Sequence, residues 1–382
     1  MIILAIVIGI PLLLWTSWLL TTPRQLSIIT VNKSVIDPQA LANQGYNWAL
    51  THRKYVNADG LLYEPARDYW GFQPLDGNNF RIRDFSNLPP GSIGSVIEET
   101  DFVFFLDNYG VYSHDWYRTD YETMPYYMLY GGLDYNDVTF IRDMLRRQKT
   151  VLAEFNFFGE PTPEPIRKQA EQLLHIQWQG WTGRFIQSLK PTDTQYLPSW
   201  LIRLYREQNQ GRWDYTENGI ALIHEDNTVV VLEYPTHLTE PAPNVLTDVE
   251  GRNRFGLPRK VAFPGWFDIT EPTSSHPTVI SWYELPVNEA GEALLRRHNI
   301  PRRFPAVIES AIQGRFFYFS GDFGKTEVPR RFSKFKGARY AELFLTDLRD
   351  PTNRKGFFFA YYLPLITNIM KETWEEKQEQ QN

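Results

Sequence analysis

The sequence predicts an α/β protein: a three-layer, mostly parallel sheet flanked by helices, with a β-rich insertion, preceded by one transmembrane helix. Three observations lead there. An uncharged apolar run opens the chain from Ile2 to Leu20. Apolar strands then alternate with amphipathic helices between about residues 95 and 212. A section rich in strand signals follows, at 213–287, before the α/β rhythm returns at 288–382.

The opening run, residues 1–21, would be roughly 30 Å long as a helix, enough to cross a bilayer core. Trp15 and Trp18 sit near its end, where indoles favour the interface. Neither a basic start nor a small-x-small cleavage site marks a secretory leader, so the run reads as an uncleaved anchor. Arg24, Lys33, Arg53 and Lys54 follow the span, which on a plain count keeps the domain cytoplasmic. Large domains translocate regardless of flanking charge, and an extracytoplasmic placement is expected.

Residues 22–94 read as a helical and irregular lead-in. Asp37 and Pro38 open a predicted helix to Tyr55, and a turn-rich aromatic stretch follows. Residues 95–212 form the first part of the α/β core. Asp101–Asp107 is a continuous apolar run ending in an acid, the pattern of a buried central strand. A loop from Asn108 to Asp120 leaves its C-terminal end. Asp134 caps a helix over Tyr135–Gln148, Lys149–Phe155 is the next strand, and Thr162-Pro163 opens a helix to Leu174. Tyr196–Gln208 reads as a further helix. In 213–287, Gly219–Tyr234 reads as a hairpin turning at His224–Asn227. The return supplies a helix near Asn288–His298, the strand-like segment from Gly314 to Phe323, and a closing helix over Phe357–Lys377.

Composition narrows the chemistry. The net charge of -6 over 382 residues is not that of a nucleic-acid binder. The absence of cysteine excludes disulfides, thiolate metal sites and a thiol nucleophile. Aromatic residues make up 15 %, including 12 Trp and 21 Tyr, which leaves some for a binding surface beyond the core. The seven histidines form no H-x-H or H-E-x-x-H pattern, so no metal is expected. The chain also lacks the glycine loops of nucleotide sites, and no cofactor is expected.

The order DFVFFLDNYGVY, then YGGLDYNDVTFIRDMLRRQKTVLAEFN, then GRFFYFSGDF before a closing helix resembles the class I glutamine amidotransferase-like superfamily, a flavodoxin-like α/β fold. The resemblance implies a catalytically divergent branch. Such amidotransferases need a Cys at a strand-to-helix elbow. The corresponding turn after VLAEF reads NFFGEPTPE, with no Cys and no G-x-S-x-G. Glutaminase activity by that mechanism is excluded, and a pseudoenzyme is implied.

In an open α/β sheet, ligands bind beyond the C-terminal strand ends. This places Asp107, Tyr109 and His114 after one strand, Glu154 and Asn156 after another, and Asp322 after the late one. Two facing carboxylates could serve as acid and base, and the competing role for each is a helix cap. Tyr130, Gly131 and Gly132 precede a helix, where backbone amides could hold an anion. Trp181 and Arg184 read as one turn, the indole for a sugar face and the guanidinium for an acidic substituent.

The leading functional reading is a membrane-anchored, non-catalytic accessory or ligand-binding protein of the cell envelope, linked to polysaccharide or to an envelope complex. The alternatives are an anchored hydrolase acting on glycans through paired carboxylates, and a cytoplasmic-face domain regulating a membrane enzyme. The membrane is an expected partner and nucleic acid is not.

Overall fold

The computed structural model describes residues 2–89, 91–118, 125–347 and 350–381, with side chains from Ile8 to Gln380. Met1, Asn382 and the end of the loop expected after the central strand, Thr119 and Asp120, lie outside the described residues.

Ten strands form the main sheet. In chain order they are β1 (Ile28–Asn32), β2 (Trp70–Pro74), β3 (Phe80–Arg83), β4 (Phe102–Asp107) and β5 (Thr150–Glu154). A second sheet interrupts them with β6 (Ile176–Ile186), β7 (Gly219–His224) and β8 (Val229–Glu233). Then come β9 (Asn244–Thr247), β10 (Lys260–Ala262), β11 (Trp266–Pro272), β12 (Thr278–Glu284), β13 (Arg303–Ser310) and β14 (Arg315–Phe319). The main sheet runs β10-β9-β12-β13-β14-β5-β4-β1-β2-β3, and the second runs β8-β7-β6-β11.

The expected central strands are present. β4 and β5 pair in parallel, with Phe104 opposite Leu152, and both are flanked by parallel neighbours. Their side chains alternate between faces, as period two requires. Phe102, Phe104 and Leu152 pack with the C-terminal helix. Val103, Phe105 and Val151 pack with the helix over Tyr135–Arg146. Each fully buried phenylalanine contributes on the order of 2 kcal/mol through apolar burial.

The expectation of a mostly parallel sheet is corrected. Four adjacent pairings are parallel and five are antiparallel, so the sheet is mixed. The reason lies in the connections. The short links Leu75–Asn79 and Ala311–Gly314 are hairpins, and a parallel return needs a crossover of a dozen residues or more. The section from 213 to 287 divides between the sheets: β7 and β8 join the second, and β9, β10 and β12 extend the first.

The helices form layers on both faces of the sheet. We label α1 (Ile2–Leu19), α2 (Gln44–Arg53), α3 (Tyr135–Arg146), α4 (Glu164–Leu174) and α5 (Leu363–Gln381). α2 and α5 pack together on one face, and α3 and α4 on the other. α3 starts at the predicted Asp134, whose carboxylate accepts from the Asn136 and Asp137 amides while Asp137 reaches back to the Asp134 amide. The helix expected from Asp37 is shorter. Asp37 caps a single 3-10 turn through the Leu41 amide, and regular helix begins at Gln44.

The expected transmembrane span, and with it the single-pass membrane localisation, is overturned. The apolar run does form a helix, 18 residues long, which at 1.5 Å per residue is about 27 Å. Among the described residues, however, no helix is long and apolar enough to cross a membrane. The sequence run looked like a free rod, but its last turns belong to the domain. Trp18 is 4 % exposed and donates its indole N–H to the Thr51 carbonyl at 3.1 Å. Lys54 donates to the Leu19 carbonyl at 2.7 Å, and the Lys336 amide donates to the Leu14 carbonyl at 3.1 Å.

Candidate functional site

The parallel strands β14, β5, β4 and β1 end on one edge of the sheet, and three acids stand there: Asp322 just beyond β14, Glu154 at the end of β5, and Asp107 at the end of β4. The first strand of the second sheet to touch this edge is β11. Phe267 bridges to Gly321, the Asp322 amide donates to the Trp266 carbonyl at 3.1 Å, and the Trp266 amide donates to Asp322 Oδ1 at 3.0 Å. The site therefore lies where the two sheets meet.

Glu154 is its centre. The side chain is 1 % exposed. Oε2 accepts from the Gly324 amide at 3.0 Å, and Oε1 has no hydrogen-bond partner of good geometry among the described residues. The Tyr362 hydroxyl is beside it, also buried and without a well-formed bond. Burial pushes the Glu154 carboxyl well above the usual range, and the single Gly324 N–H offsets this only in part. Asp322 and Asp107 are close enough to push it further up, while Arg354 pulls it down. This setting favours the protonated form, which is donor and acceptor at once.

The other two acids are held by cations. Arg354 donates to Asp322 Oδ1 at 3.1 Å from both terminal nitrogens and to the Asp322 carbonyl at 2.6 Å. Burial raises the Asp322 carboxyl and Arg354 opposes that rise. Gly265 makes the contact possible: a Cβ there would stand 2.2 Å from Asp322 Oδ1 and 2.7 Å from Arg354 Nη1. Asp107 Oδ1 accepts from the Ser34 hydroxyl at 2.8 Å and the Tyr109 amide at 2.9 Å, and Lys325 stands 3.8 Å from Oδ2.

A fourth acid was not anticipated. Asp268 lies on β11, fully buried, and accepts from the Tyr318 hydroxyl at 2.7 Å, the Asn156 amide at 2.8 Å and the Thr182 hydroxyl at 3.2 Å. Burial outweighs these three donors, and its carboxyl is pushed up to about 6. Its signal was present in the sequence: an acid inside the apolar strand WFDIT must be engaged or neutral.

The remaining anticipated residues divide. Asn156 has φ 62°, a left-handed turn at the expected elbow, with its side chain on the Glu160 carbonyl. Arg184 reaches the site on β6. Trp181 does not: it is 7 % exposed, in the core, with its ring against His224. The expected turn around them is a strand, and residues three apart on a strand face opposite ways. The indole that accompanies Arg184 is Trp266, its direct cross-strand partner, with the guanidinium 5.2 Å from the ring centre. Phe155 stacks on that indole at 6.1 Å.

The Tyr130-Gly131-Gly132 turn is tied into the fold. The Gly132 amide donates to the Asn108 carbonyl at 2.8 Å, the Gly132 carbonyl accepts from Lys33, and Gly131 lies against the Gly110 backbone. Tyr109 is 45 % exposed and stacks on Tyr112. His114 is buried beneath the flap of Val111–Tyr112 and Met128–Tyr130, with its ring on Tyr126. A surface hollow of about 640 Å³, lined by Trp70, Arg81, Arg83 and Leu88 among others, contains none of the residues above. Among the described residues, no group of three His, Asp or Glu side chains is placed to hold a metal ion.

No family model matches the sequence, and no curated protein matches it. Solved structures do. A ThuA-like protein from Bacteroides uniformis is 11 % identical, with 90 % of this chain and 92 % of that one covered and a TM-score of 0.39. A second, from Parabacteroides merdae, is 8 % identical, with 78 % and 79 % covered and a TM-score of 0.35. Among its structural neighbours, then, are ThuA-like proteins. These have a class I glutamine amidotransferase-like fold. A cytoplasmic protein from Salmonella typhimurium is 10 % identical, with 91 % and 98 % covered and a TM-score of 0.31.

Proposed function

We propose that this chain is a non-catalytic protein that binds a polyhydroxylated ligand of the glycan class at the strand-end edge around Glu154. The observation that carries the reading is the Glu154 carboxyl: buried, pushed by burial towards its protonated form, and with one oxygen that the Tyr362 hydroxyl approaches without a well-formed bond. An unsatisfied buried polar group costs about 1–3 kcal/mol, and a hydroxyl placed against it removes that cost. A neutral carboxyl both donates and accepts, which suits a sugar hydroxyl. The half-buried Trp266 and Phe155 add an aromatic face for a sugar ring.

A glycan hydrolase is the second reading, favoured by an acid kept protonated beside another carboxylate. It ranks lower because Asp322 and Asp107 are already engaged. Arg354 faces both oxygens of Asp322, and Ser34 and Lys325 face the two oxygens of Asp107. Neither carboxylate is left free as a base or nucleophile.

Calorimetric titration with maltohexaose, cellohexaose, chitohexaose and oligogalacturonate tests both readings. At least one should bind the native chain without release of new reducing ends. Glu154→Gln and Trp266→Ala should each weaken that binding about tenfold or more. The binding reading fails if none of the four binds, or if both variants bind as the native chain does. Steady release of reducing ends, lost in Glu154→Gln, would move the conclusion to the hydrolase.

A further inference from the structure

We propose that Arg184 reads a carboxylate on the ligand, so that the site takes acidic sugars in preference to neutral ones. The inference deepens the glycan-binding reading above and rests on it.

The cations of the site differ in what they face. Arg354 directs its terminal nitrogens at Asp322, and Lys325 faces Asp107. Arg184 has neither kind of partner. It is half-buried on β6, with its guanidinium over the Trp266 ring, and among the described residues it makes no side-chain hydrogen bond or ion pair. A guanidinium carries five donors in a planar fork that matches a carboxylate. None of the Arg184 nitrogens is buried without a partner, so the fork is committed to no protein acceptor and remains open to one from outside, and a carboxylate there would make a charge-assisted pair.

The surroundings fix where that acceptor would sit. Arg184 is directly opposite Trp266 in the β6–β11 ladder, and Trp266 is bonded through its backbone to Asp322. A ring stacked on the indole would therefore have one edge towards Arg184. The guanidinium also feels Arg354, which makes a second anion welcome, and Asp322, which limits how much negative charge the site tolerates. That balance favours a monoanion. A phosphate dianion would meet one unengaged cation with Asp322 close by, whereas a carboxylate matches the single fork.

The test uses the full chain and calorimetric titration with trigalacturonate, its fully methyl-esterified form and glucose 6-phosphate. The acid should bind about tenfold tighter than the ester, and added salt should narrow the gap. Arg184→Gln should bind acid and ester with equal affinity, and Arg184→Lys should keep part of the preference. Thermal melts of both variants confirm that they are folded. Equal affinity for acid and ester overturns the proposal, as does an acid preference that survives Arg184→Gln. Binding of glucose 6-phosphate tighter than trigalacturonate, lost in Arg184→Gln, overturns the choice of carboxylate. Ester binding that Glu154→Gln and Trp266→Ala both leave unchanged counts instead against the glycan site itself, and no binding of any probe removes both.

Discussion

Asp137 and Glu154 are two acids of one sheet edge, each 1 % exposed and each pushed upward by burial, yet their surroundings differ. Asp137 Oδ2 accepts from Lys33 at 2.6 Å and from the Asp134 amide at 2.9 Å. Lys33 also donates to the Gly132 carbonyl at 2.7 Å and lies 5.2 Å from the Tyr130 ring. That corner joins the end of β1 to the start of α3 and has a partner for its charge. Glu154 has one backbone donor on one oxygen and nothing well placed on the other. The difference separates a polar group that holds the fold from one that waits for a ligand, although burial alone would rank them together.

The largest effect should come from breaking the first corner. Lys33→Met strands Asp137 in the interior and should cost about 3–5 kcal/mol in urea unfolding. Adding Asp137→Asn, which keeps an acceptor for the Asp134 amide, should recover much of the loss because the stranded charge is gone. A cost under about 1 kcal/mol for Lys33→Met would mean that the pair does not fix this corner, and the contrast with Glu154 would collapse.

Asp268 stands between the two, with three donors and yet a carboxyl at about 6. Its folded value lies above the unfolded one of about 3.9. Between those pH values the native state keeps a proton that the unfolded state has released, so this group's contribution to stability falls as pH rises. The fall should be about 2 kcal/mol between pH 4 and 6 and about 3 kcal/mol in all. His52 acts in the opposite sense. Burial holds it down to about 4, so its contribution grows as pH rises from about 4 to its ordinary value of about 6.5. The native pH curve alone mixes the two. The difference between native and Asp268→Asn isolates the acid: it should decline across pH 4–6 and be flat above 7. Parallel curves would mean that the three donors of Asp268 outweigh its burial.

Part of this edge could be read from the sequence because strand ends announce themselves. DFVFFLD closes on an acid and KTVLAEF carries one at its next-to-last position, and parallel pairing of the two strands puts Asp107 and Glu154 on the same edge. The Asp134 cap was legible for the same local reason. Arg354, Lys325 and Trp266 were not. Each reaches the site through pairings between segments distant in sequence, and nothing local marks the Arg184–Trp266 register. Trp181 was misplaced because a turn and a strand put residues three apart on different sides. The N-terminal run was misread because composition shows that a helix is apolar and cannot show that Trp18 is docked against Thr51.

The smallest expected effect is the most discriminating. Gln has the shape of a protonated Glu, and its carbonyl can accept from Gly324 as Glu154 does. If Glu154 is neutral in the folded protein, Glu154→Gln exchanges one neutral group for another. At pH 5, close to the unfolded carboxyl's own range, the variant should then lose less than about 1 kcal/mol, as for substitutions that remove no charge and open no cavity. From pH 5 to pH 8 the variant should gain on the native chain, by up to about 4 kcal/mol, because the unfolded native chain releases this proton while the folded one keeps it, and Gln has none to release. Ligand binding should weaken at both pH values, since the amide donates where a sugar hydroxyl needs an acceptor as well. Urea melts of native and variant chains at the two pH values read this directly. A loss of several kcal/mol that is the same at the two pH values would mean that the carboxyl is ionised and held by its surroundings. Glu154 would then be a second Asp137, a group that fastens β5 to the loop after β14, and the proposed site would lose its centre.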